Sequence, residues 1–199
     1  MDTEYTHKIQ ALVKESTTLI SKIGDHSENI IYVINQITNA ILNGKKVVVF
    51  GNGGSAADAQ HIAAEIVGRF TLERKSYPAI ALTTDTSALT AIANDYAYDK
   101  VFSRQCEGLV NSGDIVIGIS TSGNSENVKR GLEISKHNGA FTIGLLGNDG
   151  GKIKDIVDID ISIESKSTPR IQEGHRVIYH IICQMVEEEL YQKEKDDEI

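Results

Sequence analysis

Residues 47–70 limit what this chain can fold into more than any other stretch. Val47, Val48, Val49 and Phe50 are apolar without alternation, Gly51, Asn52, Gly53, Gly54 and Ser55 follow, and the residues to Phe70 read as a helix. A β-branched run with no polar face belongs in a sheet covered on both sides. Glycines between such a strand and a helix let the backbone come close to a ligand. Ser55 is placed to cap the helix, whose free N–H groups and positive dipole end face whatever sits above the turn. That suits an anion, and a phosphate best. His61 and Glu65 are four residues apart and share one face of the same helix.

Two helices precede this unit. Ile9, Leu12, Val13, Leu19, Ile20 and Ile23 fall at helical spacing within residues 5–23. After Ser27 a second helix sets Ile30, Ile34, Ile37 and Ile41 on one stripe, with Gly44 as its stop. Their apolar stripes bury either against another subunit or against the chain's own sheet.

Strand and helix then alternate. Residues 78–82 read as a short strand, and 86–93 as a helix ending at Asn94 and Asp95. Asp99 is placed to cap a helix through Phe102 and Leu109, and 114–120 is a second buried strand. A helix runs from Ser125 to His137, a strand over 141–146, and a glycine turn over 147–151 leads into a short helix. Residues 159–163 alternate like an edge strand, and Pro169 suits the first turn of a long helix to Lys193. The acidic stretch 194–199 reads as frayed. The pattern predicts an α/β fold with a doubly wound parallel sheet flanked by helices and an N-terminal helical extension. Its 199 residues suit a single domain. Ligands of such sheets bind beyond the carboxyl ends of the strands.

Charge narrows the partners. A formal net charge of −8 with no compensating basic run argues against nucleic acid. A phosphorylated small molecule remains open, because backbone N–H groups and hydroxyls bind phosphate without cations. Residues 1–5 lack the features of a signal peptide, and no apolar run is long enough to span a bilayer, so the expectation is a cytoplasmic protein with no membrane partner. Cys106 and Cys183 make neither a metal-type spacing nor a disulfide framework, and read as small buried hydrophobes in a reducing compartment.

Gly51, Gly53 and Ala56 also fit a loose dinucleotide fingerprint. That reading wants an acidic residue about twenty positions after the last glycine, and Asp85 comes roughly thirty positions later. A second strand–loop–helix junction weighs further against it. Ser120, Thr121, Ser122, Gly123, Asn124 and Ser125 put several hydroxyls and free N–H groups at another helix N-terminus, which suits the oxygens of one phosphate monoester. An ordinary cap and turn accounts for one of these serines, not all of them.

The glycine turn over 51–55 and the stretch 118–125 resemble the two signature loops of sugar isomerase (SIS) domains. Residues 59–65, 93–96, 102–105 and 170–173, together with His180, resemble the phosphoheptose isomerase family. The resemblance runs from the N-terminal helices, 1–44, to the final helix, 169–193, and implies one SIS domain over 1–199. It implies conversion of sedoheptulose 7-phosphate to D-glycero-D-manno-heptose 7-phosphate, the first step towards bacterial heptose precursors for lipopolysaccharide, capsule or glycoprotein. It also implies a homotetramer. Pro169, immediately before Arg170, stands where some relatives carry an acid.

The chemistry of the residues agrees. Aldose–ketose isomerisation through an enediol needs a base at carbon and an acid/base at oxygen. Glu65 is the natural carbon base, and His180, with a reference pKa near neutrality, suits proton traffic between the oxygens. Gln172, Arg176 and His180 recur every four residues and share a helix face. The resemblance carries one zinc per subunit to His61, Glu65, Gln172 and His180. It also makes Asn52, Gly53, Gly54, Ser55, Asn94 and Asp95, with Glu65 and Gln172, the sugar contacts, and Ser120, Thr121, Ser122 and Ser125 the phosphate contacts. The alternative is a non-catalytic SIS regulator, such as a replication-initiator-associating protein or a sugar-phosphate sensor. Such a protein keeps the loops but can dispense with Glu65 and His180, so their presence favours an enzyme.

Overall fold

The two apolar runs, β1 (Val47–Gly51) and β3 (Ile115–Ser120), lie side by side in the sheet with every residue buried. The computed structural model describes residues 2–197. Strand β2 (Ala79–Ala81) flanks β1, and β4 (Phe141–Gly147) and β5 (Ile159–Ile163) continue beyond β3. The sheet has five strands in the order β2-β1-β3-β4-β5, and each neighbouring pair is parallel. From β1 the chain moves outward to β2 and then returns to β3 on the other side of β1. Such a switch point opens a crevice at the carboxyl ends of the two strands. The register pairs Gly51 with Ile119, so both following loops emerge there together.

Helices cover both faces. On one face α2 (Ser27–Leu42), α3 (Gly54–Val67) and α8 (Thr168–Asp197) enclose a core that includes Ile34, Ile37, Ile62, Ile117, Ile143 and Ile178. On the other face α4 (Thr86–Asp95), α5 (Ser103–Leu109), α6 (Glu126–His137) and α7 (Gly151–Lys154) pack over Val48, Val116 and Leu146. There Phe50 and Phe102 stack with ring centroids 4.9 Å apart. Helix α1 (Asp2–Ser21) lies outside α8: Leu19 and Ile20 join the core, Ser16 donates to Glu173 at 2.6 Å, and Arg170 donates to the Leu12 carbonyl at 2.8 Å.

The stripe of α2 buries against its own sheet, with Ile30, Ile34, Ile37 and Ile41 all inside. In α1, by contrast, Tyr5, Ile9, Leu12 and Val13 stay exposed. The first helix stops at Ser21 and passes into a 3-10 turn over Lys22–His26, and Ile23 turns inward from that segment. Asp99 does not cap a helix. It sits in a separate 3-10 turn, Tyr98–Lys100, and pairs with Arg130 at 3.0 Å, while α5 begins only at Ser103. Strand β5 is an edge strand without the expected alternation, because Ile161, Ser162 and Ile163 are all buried. The last helix runs on to Asp197 because Glu194 accepts from the Tyr77 hydroxyl and pairs with Lys75, both at 2.9 Å. Of the stretch expected to fray, Glu198 and Ile199 lie outside the described residues. Both cysteines are free and buried, as expected.

Candidate active site

The glycine turn after β1 owes its shape to one left-handed residue and one close approach. Gly53, at φ 55°, takes the N-cap position of α3. A Cβ on Gly51 would lie 2.9 Å from the Ile119 carbonyl oxygen, so only glycine lets β1 and β3 end this close together. Ser55 is therefore not the cap: it lies buried inside the first helical turn, and its N–H donates to the Asn52 carbonyl at 3.0 Å. Asn52 is pinned by a reciprocal amide pair with buried Asn127, at 2.8 and 2.9 Å, and accepts from the Tyr98 hydroxyl at 3.1 Å.

The loop after β3 gathers its hydroxyls. Ser120 Oγ donates to Ser125 Oγ at 3.0 Å and lies 3.4 Å from Ser122 Oγ, which accepts from the Asn124 N–H at 3.1 Å. The Thr121 carbonyl accepts from Asn148 at 3.1 Å. An open groove beside this loop is lined by Ser122, Asn124, Asn148, Ser165 and Lys166. Asn94 and Asp95, exposed at the end of α4, bond to each other at 2.8 Å, with no hydrogen bond to either loop among the described residues.

Deeper along α3 the titratable groups meet α8. His61 Nε2 lies 2.8 Å from Glu65 Oε1, and the His61 and His180 rings meet edge-on with centroids 5.1 Å apart. Phe70 covers His180 from a third side at 5.8 Å. Burial, then the neighbouring His61, holds the His180 pKa below its ordinary value. Tyr179 bonds His61 Nδ1 at 3.0 Å, and Arg176 pairs with Asp58 at 3.0 Å. Burial, reinforced by Asp58, pushes the Tyr179 hydroxyl up to about 12, so it keeps its proton at neutral pH.

Contacts between these helices advance in step: Gly54 with Gln172, Asp58 with Arg176, His61 with Tyr179. Helices α3 and α8 therefore run parallel. Gln172 packs so tightly on Gly54 that a Cβ there would overlap its amide. His180 comes two turns later, about 12 Å along the axis. The structure thus brings His61, Glu65 and His180 together and leaves Gln172 at the glycine turn. Among the described residues, no group of three or more His, Cys, Asp or Glu side chains is arranged to hold a metal ion.

Several residues around the site lack a sequence motif. Asp58 lies three residues before His61, and that spacing is its one signal. Asn127 and Tyr98 show none. His175 donates from Nε2 to the Leu146 carbonyl at 2.8 Å and ties α8 to β4, and its burial lowers its pKa and keeps it neutral. Glu187 and Arg74 form a buried pair at 3.0 Å that closes the loop after α3.

Comparison with known proteins places this arrangement among relatives. A family model described as SIS domain matches residues 4–147. A phosphoheptose isomerase of Geobacter sulfurreducens is 60% identical over 155 residues, covering 78% of this chain and 82% of the relative. One from Nitratiruptor is 62% identical over 149 residues, covering 75% and 80%. The structure of a phosphoheptose isomerase from Neisseria gonorrhoeae superposes with a TM-score of 0.88 at 38% identity, over 92% of this chain and 99% of that one. One from Francisella tularensis gives 0.89 at 31% identity, over 92% and 98%.

Proposed function

The chain belongs to the SIS-domain family, in its phosphoheptose isomerase branch, and from that premise we propose how its residues carry the reaction. The protein is an aldose–ketose isomerase that converts sedoheptulose 7-phosphate to D-glycero-D-manno-heptose 7-phosphate. The observation that carries our assignment of roles is the position of Glu65. It lies beside two imidazoles, on the helix that starts at the glycine turn of the switch point.

Ser120, Ser122 and Ser125 receive the phosphate, with Thr121 and the free N–H groups at the start of α6. Asn52, Gly53, Gly54, Ser55 and Gln172 line the sugar, with Asn94 and Asp95 at its outer edge. The Glu65 carboxylate takes a proton from C1 of the ketose, and the electron pair left behind forms the C1–C2 double bond of the enediol. The same carboxyl returns the proton to C2. His180 gives a proton to O2 and takes one from O1, so the exchange at oxygen balances the exchange at carbon. A readout of aldose formation from sedoheptulose 7-phosphate, with solvent deuterium entering at C2, tests the roles. Turnover retained in Glu65→Gln would reassign the base.

Zinc, one per subunit, belongs to the same proposal. Two imidazoles and a carboxylate are suitable donor types, which would have to close around the ion because they are not arranged to hold one as they stand, and Tyr179 already holds the far nitrogen of His61. Gln172 would have to reach them from Gly54 as the fourth donor. Bound there, the ion would polarise the sugar carbonyl. Elemental analysis and activity of the wild type and His61→Ala, before and after chelation and zinc readdition, test this. An absence of zinc uptake with unchanged activity removes the metal role. A cytoplasmic homotetramer completes the proposal, supported by the exposed apolar face of α1 and by the lack, among the described residues, of any helix long and apolar enough to cross a membrane. An active monomer by light scattering would overturn the assembly.

A further inference from the structure

An asparagine side chain carries two acceptor lone pairs and two donor protons, and the way its amide faces decides what it can bind. In the pair that joins the glycine turn to α6, the backbone fixes that choice. Val128 stands in the first turn of α6, where an N–H finds no partner within the helix. The Ser125 side chain does not cap that turn, and the Val128 N–H donates instead to Asn127 Oδ1 at 2.9 Å. Val128 is fully buried and Asn127 4% exposed, so turning the Asn127 amide over would orphan a buried donor. Its nitrogen must therefore face Asn52 Oδ1, at 2.9 Å, and its oxygen must accept from Asn52 Nδ2, at 2.8 Å. The Tyr98 hydroxyl takes the second lone pair of Asn52 Oδ1 at 3.1 Å. Among the described residues, the one hydrogen-bonding site of this side chain without a partner is the second proton on Nδ2.

We propose that Asn127 is a positioning residue for the sugar: anchored by the Val128 N–H, it holds Asn52 so that this side chain meets the substrate as a hydrogen-bond donor only. An asparagine free to turn would offer a sugar hydroxyl either its oxygen or its nitrogen. The held one accepts nothing more and gives one N–H to a sugar oxygen. Asn127 stands two residues after Ser125, the N-cap of α6. The helix start that receives the phosphate thus also sets the amide that meets the carbon chain, and both ends of the substrate are located from one helix. The inference rests on the reading of Asn52 as a sugar contact in the proposed isomerase, and its test does not depend on turnover.

The test joins calorimetric titration with sedoheptulose 7-phosphate to proton–nitrogen correlation NMR of the side-chain amides in the full-length, 15N-asparagine-labelled protein. The two amide signals are assigned by their loss in Asn52→Ala and Asn127→Ala. In the wild type, adding the sugar phosphate moves one Asn52 amide proton and leaves the other, held by Asn127, in place. In Asn127→Ala the Asn52 pair collapses towards the shifts of a free amide, and affinity falls about 3- to 10-fold, as for one lost hydrogen bond. In the Asn52→Ala background the same change causes no further loss, because Asn127 acts through Asn52. Asn127→Asp is isosteric and keeps an acceptor for Val128, and should collapse the Asn52 pair equally if Asn127→Ala does not fold. An equal loss of affinity from Asn127→Ala with and without Asn52 would mean a merely structural role and overturn the proposal. An Asn52 pair unmoved in a folded Asn127 variant would overturn it too. A wild type that does not bind sedoheptulose 7-phosphate would count against the proposed function, while the Asn52 signals still decide whether Asn127 holds that amide.

Discussion

Glu187→Gln keeps the shape of a side chain that is 1% exposed but removes a charge and an acceptor oxygen. In the native chain Oε1 accepts from the Phe70 N–H at 2.7 Å and from Arg74 Nε at 3.0 Å. Oε2 accepts from the N–H groups of Thr71 and Leu72 at 2.6 and 2.8 Å and from the Thr71 hydroxyl at 3.1 Å. Glutamine can serve one of these sets, and its NH2 group then confronts the other. With the oxygen kept on Thr71 and Leu72, the Phe70 amide and Arg74, whose side chain is 2% exposed, lose their acceptor. An orphaned buried donor costs about 1–3 kcal/mol, and removing one partner of a buried ion pair about 3–5 kcal/mol. Arg74 enters both figures, so the sum overcounts, and about 3–5 kcal/mol is expected from a domain stability of about 5–15 kcal/mol. The effect reaches the site. Arg74 also donates to the Glu65 carbonyl at 2.9 Å, and Phe70 covers His180, so kcat falls as well. Urea unfolding at fixed protein concentration should show a lower midpoint with an unchanged slope. A shift worth less than about 1 kcal/mol would refute the accounting of donors. Acid gives a second check. Burial alone would raise the Glu187 pKa, but the amides of Thr71, Leu72 and Phe70 more than offset it and hold it below the ordinary value. A depressed folded pKa means stability that is present above the unfolded value of about 4.3 and lost as pH falls through the folded one. The deficit of the variant should therefore be largest at neutral pH and shrink below about pH 4. A constant deficit to pH 3 would show that charge is not its source.

Three further outcomes follow from the site. Glu65→Gln should abolish turnover and solvent exchange at the reacting carbon while substrate still binds, since the amide cannot accept a carbon-bound proton; calorimetric titration and deuterium incorporation check the two halves. Ser122→Ala should raise KM by an amount worth about 1–3 kcal/mol of binding with little change in stability, because Ser122 is exposed in the free protein; an unchanged KM would move the phosphate elsewhere. Gly123→Ala should cost more than about 1–2 kcal/mol, because Gly123 has φ +65° and a Cβ there would overlap the Gly150 carbonyl; the urea midpoint and KM should both respond, and a neutral result would mean that the two loops are not locked together.

Legibility of the fold in the sequence followed the range of the interaction. Strands β1 and β3 announce themselves through unbroken apolar runs, and α2 through a four-residue stripe that the sheet then buries. These are local patterns imposed by a long-range fact, burial on both faces. Where the long-range partner is particular, the local pattern misleads. Asp99 looks like a cap until Arg130 claims it, and the acidic end of α8 looks frayed until Tyr77 and Lys75 hold Glu194. Residues 68–77 carry no period at all, yet Glu187, over a hundred positions away, organises them through backbone donors. No spacing rule reaches that far.

The candidate site divides along the same line. His61 and Glu65 were legible together because four residues on one helix set both the face and the level at which two side chains stand. Gln172, Arg176 and His180 share a face by the same rule, but over eight residues the rule says nothing of level. Level is set by pairing, and α8 lies parallel to α3 with Gln172 against Gly54 and Tyr179 against His61. That pairing spreads the polar face of α8 along the whole length of α3. Its first turn meets the glycine turn, where the sugar arrives; its second, through Arg176, meets Asp58; its third, through Tyr179 and His180, meets the base. One helix face thus serves three tasks at three depths. A substitution on it should be read by its depth: Gln172 should affect binding, Arg176 and Tyr179 the orientation of His61, and His180 proton transfer itself.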